Sequence, residues 1–182
     1  MGSGTTLVEA KLLNRNAIGV DINPQSVSIS ETNLQFQCET KSKIHMRCAN
    51  ATDLSFIKDS HIDFICTHPP YANIIKYSKN VDGDISLLTV EEFLKEMTVV
   101  AQEAYRVLRK GKACAVMIGD MRRYGKVVPL GFWVMECFLT AGFVSKEIII
   151  KEQHNCRSTD YWEKQNNNFL LLAHEYIFVF QK

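Results

Sequence analysis

Ala17-Ile18-Gly19-Val20-Asp21-Ile22-Asn23-Pro24 is the stretch on which the fold turns. It is a short apolar run with an acid near its end, the pattern of a buried strand. Asn23-Pro24 then starts a helix that should run roughly from Gln25 to Phe36, since proline suits the first helical position. Upstream, Gly2-Ser3-Gly4-Thr5-Thr6 leads into Leu7, Val8, Ala10, Leu12 and Leu13, a glycine-rich turn opening an amphipathic helix that ends at Asn14-Arg15-Asn16. Backbone N–H groups at such a turn suit a negatively charged or polar ligand group. Tight turns and flexible N-termini use glycine too. An acid at a strand tip about 20 residues after a glycine loop is the arrangement that holds ribose hydroxyls. The plainer role for Asp21 is a helix N-cap. Such a loop normally follows a first strand. None precedes it here, so that segment is expected to have been lost or to come from another chain.

Downstream the alternation continues. Lys43 to Cys48 reads as a strand, followed by the loop Asn50-Ala51-Thr52-Asp53-Leu54. Asp53 can accept from an amino group such as that of adenine, or start a helix. Ile62 to Cys66 is the next strand, and Thr67-His68-Pro69-Pro70-Tyr71 follows it. Two prolines without N–H groups leave the strand end stiff, with carbonyls free to accept and a ring beside them. A Pro-Pro turn capping a strand is the alternative. Asp82-Gly83-Asp84 is a turn. Thr89 and Glu92 form a capping box for a helix from Val90 to Leu108, with the apolar face Phe93, Leu94, Met97, Val100, Ala101, Ala104 and Leu108. Arg109-Lys110-Gly111-Lys112 should end it and compensate its dipole.

Ala113 to Ile118 is apolar throughout, as a central parallel strand should be. Met121 to Lys126 reads as a compact basic loop whose Arg122, Arg123 and Lys126 could meet phosphates, or simply face solvent. A helix from Pro129 to Ala141, a strand from Phe143 to Ile150, a polar loop from Gln153 to Asn168 and a last strand from Leu170 to Phe180 complete the chain. That last strand is broken in pattern by Ala173-His174-Glu175. The long loop carries Arg157, a further candidate for nucleic acid, and also His154 and Cys156, which lack a second ligand pair for zinc.

The expected fold is α/β: a mainly parallel sheet with an antiparallel last strand and helices on both faces, in one domain. The glycine loop, Asp21, Asp53 and the Pro-Pro-Tyr segment should converge at the carboxyl edge of the sheet, where such folds bind ligands. A net charge of +1 gives no global field for a polyanion, so any nucleic-acid site must be a local patch. Six cysteines without a C-x-x-C pair read as reduced, mostly buried thiols in a reducing compartment, and a cytoplasmic location is expected. No apolar run is long enough for a bilayer, and no metal site is expected.

The chain resembles the AdoMet-dependent methyltransferases that act on exocyclic amino groups of DNA bases. Gly2 to Thr6 with Glu9-Ala10, and Ile18 to Pro24, look like the cofactor region of that family. His68-Pro69-Pro70-Tyr71 looks like its catalytic motif, with His68 where Asp, Asn or Ser is usual. Tyr105 to Gly111 and His174 to Phe180 are similar to further family text. The resemblance implies a Rossmann-like, seven-stranded sheet with S-adenosyl-L-methionine as cofactor. Gly2, Ser3, Gly4, Thr5 and Thr6 would wrap its methionine end. Asp21, with Asn23 beside it, would hold the ribose, and Asp53 the adenine amino group. His68, Pro69, Pro70 and Tyr71 would form a pocket for a base flipped out of the duplex. The implied partner is DNA, with RNA as an alternative and a non-catalytic nucleic-acid-binding or complementing module as another. With no sizeable recognition domain in view, a further chain would supply target recognition or the first strand.

Overall fold

The computed structural model describes residues 1–74, 78, 81–153 and 170–182. They fall into two compact units, Met1–Phe56 with Lys76–Asp84, and Ile57–Ile75 with Ile85–Lys182.

The first unit begins with the glycine turn. Gly4 takes φ +80°, and its carbonyl accepts from the N–H groups of Leu7 and Val8 to open helix α1 (Thr5–Leu12). Strand β1 (Ala17–Asp21) pairs in parallel with β2 (Ile44–Cys48), Ala17 opposite Ile44 and Asp21 opposite Cys48. Helix α2 (Pro24–Asn33) is capped by Asn23, whose side chain accepts from the Gln25 N–H. It ends three residues short of Phe36. Two glycines set the packing. A Cβ on Gly19 would stand 2.6 Å from Leu7 Cδ1, so the bare backbone of β1 is where α1 lands its buried leucine. A Cβ on Gly4 would stand 2.7 Å from Ser30 Cβ, and the buried Ser30 hydroxyl donates to the carbonyls of Ser26 and Gly2.

The second unit is built on a four-stranded sheet in the order β3-β4-β8-β7, where β3 is Ile62–Thr67, β4 Leu108–Ile118, β7 Val144–Glu152 and β8 His174–Gln181. β3 and β4 are parallel; β8 runs antiparallel to both β4 and β7, the reversed last strand that the sequence predicts. Its register pairs Cys114 with Phe180, Val116 with Phe178 and Ile118 with Tyr176, so these six share one face. That face is buried under helix α3 (Val90–Val107) and helix α4 (Leu130–Thr140), which bring Phe93, Met97, Ala101, Leu130, Val134 and Phe138. Phe138 stacks on Phe180 with ring centroids 5.1 Å apart. The Thr89–Glu92 capping box is present.

Three expectations need correction. The sequence reading carries the helix through Leu108 and starts the strand at Ala113, but Leu108 is already extended. Arg109 therefore serves no helix dipole: its Nη1 donates to both oxygens of Asp63 at 3.0 Å, and the helix's own last basic residue, Arg106, pairs with Glu103 and Asp59. The intervening Gly111, at φ +76°, donates to the Lys182 carbonyl and lets the strand bulge. The basic stretch is not a loop but a hairpin, β5 (Met121–Arg123) and β6 (Lys126–Val128). Its Tyr124-Gly125 turn has positive φ at both residues, the two-residue geometry that matches strand twist. The cysteines are also less buried than predicted: Cys114 and Cys137 are buried, Cys38 is half-buried, and Cys48 and Cys66 are exposed.

Gly4→Ala should be the most damaging small change in the first unit. A left-handed alanine costs roughly 1–2 kcal/mol, and the clash with Ser30 adds to it. A clear drop in thermal midpoint is expected; an unchanged melting curve would contradict this packing.

Candidate functional site

In the first unit the carboxylate of Asp21, the last residue of β1, gathers three N–H donors. Oδ1 accepts from the Asn23 N–H at 2.9 Å; Oδ2 accepts from the Gly2 N–H at 3.1 Å and from the Met1 amino group at 2.8 Å. Burial acts to raise its pKa, but the bonds from Met1, Asn23 and Gly2 outweigh it and hold the group below the ordinary carboxylate value. Asp21 is therefore ionised at neutral pH and accepts only. It stays partly open to solvent, tied to the glycine turn. Helix capping falls instead to Asn23. Ser3, Thr5 and Thr6 are exposed around the turn, and the Ser3 carbonyl accepts from the Asn33 side chain at 2.8 Å. Asp53 stands after β2, at the same carboxyl edge of the β1–β2 pair. It starts no helix; its Oδ1 accepts from the Ser55 N–H at 3.0 Å.

In the second unit the strand end after β3 is bound into a polar cluster. The Tyr71 hydroxyl donates to Glu175 Oε1 at 2.5 Å and accepts from the Gly119 N–H at 3.0 Å, with His68 Nε2 at 3.4 Å. Glu175 is only 7 % exposed, and its Oε2 accepts from Lys151 Nζ at 2.6 Å. Burial alone would raise the Glu175 pKa; the Lys151 and Tyr71 hydrogen bonds hold it below the ordinary value. Gly119 closes β4, and a Cβ there would sit 3.3 Å from the Tyr71 ring. Pro69 is buried, and Ala72, fully buried, takes φ +45° as the chain turns away. A non-glycine residue held in that region is strained, and such strain concentrates at functional sites.

His68 keeps 41 % of its side chain exposed. Its pKa is lowered, chiefly by burial; Glu175 opposes this and Lys151 adds to it. At neutral pH the ring is thus neutral and retains one acceptor nitrogen.

Glu175, Lys151 and Gly119 were not singled out from the sequence. Glu175 shows there only as a charged break in an apolar strand. The register explains its place: an antiparallel strand begins at the edge where its parallel neighbours end, and Lys151 lies opposite Glu175 on β7. Beside it, Asp120 accepts from the Tyr176 hydroxyl at 3.1 Å and the Gly131 N–H at 3.0 Å, and His174 Nε2 is 3.1 Å from the Tyr176 hydroxyl.

The basic candidates divide. Arg122 donates to the carbonyls of Gly125 and Leu170. Arg123 and Lys126 are exposed, with the Arg123 guanidinium 5.8 Å from the Tyr124 ring centre. Arg157 lies outside the described residues, as do His154 and Cys156. Among the described residues no group of three His, Cys, Asp or Glu side chains is placed to hold a metal, and no helix is long and apolar enough to cross a membrane.

A family model described as DNA methylase, of the N6/N4 methyltransferase type, matches residues 1–32 and 62–182. No curated protein matches the chain. Among solved structures, a SAM-dependent methyltransferase from Methanosarcina mazei is 16% identical over 100% of this chain and 88% of its own, with a TM-score of 0.66. A protein from Thermus thermophilus described as a DNA modification methylase, solved with S-adenosyl-L-methionine, is 24% identical over 74% of this chain and 53% of its own (TM-score 0.54). The cytosine-N4-specific PvuII DNA methyltransferase is 14% identical over 73% of this chain and 47% of its own (TM-score 0.59). The chain thus spans about half the length of each of these two.

Tyr71→Phe leaves the Gly119 N–H without this acceptor and Glu175 without this donor. The expected loss is about 1–3 kcal/mol, read as a lower urea midpoint; an unchanged midpoint would show that the hydroxyl is not the anchor.

Proposed function

The chain belongs to the N6/N4 family of DNA methylases, and on that footing we propose that it transfers a methyl group from S-adenosyl-L-methionine to an exocyclic amino group of adenine or cytosine in DNA. The observation that carries the proposal is the placement of His68: partly exposed, with its Nε2 3.4 Å from the Tyr71 hydroxyl that Glu175 and the Gly119 N–H hold.

The first unit fits the methyl donor. Gly4 turns the chain at φ +80° with Ser30 packed against it, which leaves Ser3, Thr5 and Thr6 exposed, and Asp21 is an ionised, partly open acceptor fastened to that turn. Asp21 would hold the ribose hydroxyls, Gly2 to Thr6 the methionine end, and Asp53 the adenine amino group. Bound there, the cofactor supplies an electrophilic methyl group on a sulfonium.

The remaining task falls to the strand end. An exocyclic amino group is a poor nucleophile because its lone pair is delocalised into the ring. Hydrogen-bond acceptors on its two hydrogens favour a pyramidal nitrogen and return the lone pair to it. The Pro69 carbonyl accepts one hydrogen and the neutral His68 imidazole the other; the imidazole can then hold the proton that the methylated nitrogen gives up. The base has to leave the duplex stack to be reached. The Tyr71 ring, held by its hydroxyl, offers a stacking surface worth roughly 1–3 kcal/mol per base in single-strand binding. Arg123 and Lys126 supply local positive charge for phosphates.

The pH dependence follows from the direction of the His68 shift. The ring accepts only while neutral, so the rate should fall as pH drops through its folded-state pKa, which lies below the ordinary 6.5. In steady-state methyl transfer to DNA, His68→Asn should abolish that acidic limb, because an amide stays neutral. The same limb in both proteins would overturn the role of His68.

A further inference from the structure

We infer that Glu175 is a positioning residue that fixes the tautomer of His68, acting through the Tyr71 hydroxyl so that Nε2 carries the hydrogen and Nδ1 is the acceptor. A tyrosine hydroxyl has one hydrogen and two lone pairs. Glu175 is an ionised acceptor, with Lys151 Nζ at 2.6 Å on its Oε2, and its Oε1 stands 2.5 Å from the Tyr71 oxygen. That is the length of a charge-assisted O–H···O⁻ bond, so the hydroxyl hydrogen points to Glu175. The Gly119 N–H, 3.0 Å away, is a donor and meets a lone pair. At the third contact, 3.4 Å to His68 Nε2, the tyrosine oxygen again offers a lone pair. Two lone pairs facing each other repel, so Nε2 is the N–H. The Glu175 Oε1 itself lies 3.6 Å from Nε2, too far to bond well but of a sign that favours a hydrogen there. The neutral ring then has its lone pair on Nδ1.

Among the described residues of this cluster, the groups that face His68 are Tyr71 from its own segment, Glu175 from β8 and Lys151 from β7. Lys151 sets the polarity of the whole chain. An ammonium only donates, so whatever stands at position 175 must turn an oxygen toward it. This makes Glu175→Gln informative. The amide oxygen will face Lys151, which leaves the amide NH2 facing Tyr71. The tyrosine oxygen then receives hydrogens from both Gln and Gly119, and among its contacts with described residues His68 Nε2 is the one placed to take its own hydrogen. Nε2 becomes the acceptor and Nδ1 the N–H. One isosteric change, with no loss of a contact, reverses the tautomer.

The test is long-range ¹H–¹⁵N correlation on the full chain labelled at histidine, at a pH where His68 is neutral, with His68→Asn used to assign its signals. The wild-type ring should show the Nε2–H pattern and Glu175→Gln the Nδ1–H pattern. A wild-type ring with the hydrogen on Nδ1 overturns the inference even if the variant does not fold. The same tautomer in both folded proteins overturns it too. The catalytic meaning of the tautomer rests on the reading of His68 as the amino-group acceptor, and transfer assays separate the two. If Glu175→Gln reverses the tautomer and methyl transfer falls roughly a hundredfold, the scale of one general base, both stand. If the tautomer reverses and transfer is unchanged, the positioning role of Glu175 stands and the acceptor role of His68 fails.

Discussion

A buried carboxylate is costly unless its oxygens are paired, and Glu175 is paired on both. Lys151 holds one oxygen and Tyr71 the other. Through those bonds one side chain on β8 joins β7, the end of β4 at Gly119 and the segment that leaves β3. The strand end carrying His68 and the prolines would otherwise be an exposed turn after an edge strand. Here it is locked to the sheet, and the strained Ala72 shows that the lock holds the backbone against its local preference. The hydrophobic face beneath α3 and α4 supplies the rigid base from which this works, with Phe138, Phe178 and Phe180 packed ring against ring.

A second lock of the same kind governs the first unit. Asp21 is bound to the turn before α1, so the strand tip and the glycine loop move together. Glycine is needed at position 4 because Ser30 lies where a side chain would go, and at position 19 because Leu7 does. In both units a carboxylate fixes a loop at the end of a strand, and hydrogen bonding holds each carboxylate in its ionised form.

The elements that the sequence made legible were those with strong local signals. The Thr89–Glu92 box, the i, i+4 spacing of Phe93, Met97 and Ala101 and the apolar run Ala113 to Ile118 each announce one structure only. The reversal of the last strand was readable as well. Illegible were features decided by pairing at a distance. Nothing local says that Leu108 should extend rather than continue its helix; its pairing with Ile62 at the start of β3 decides it. Tyr124-Gly125 is a less obvious turn than Asn-Gly, so the hairpin passed for a loop. Glu175 and Lys151 are the plainest case. Each is an ordinary charged residue until the antiparallel register sets them opposite one another at the edge where His68 emerges. His68 and Asp21 could be named as candidates from position, but their protonation states depend on partners that only the fold supplies.

The proposed role of this edge is to prepare an amino nitrogen, and not a ring carbon, for methylation. It is tested most directly by incubating the chain with DNA and S-adenosyl-L-methionine labelled at the methyl group, then digesting the DNA to nucleosides and locating the label. The label is expected in the N6-methyladenine or N4-methylcytosine deoxynucleoside. Label on a ring carbon, or label only in RNA offered in parallel, would contradict it.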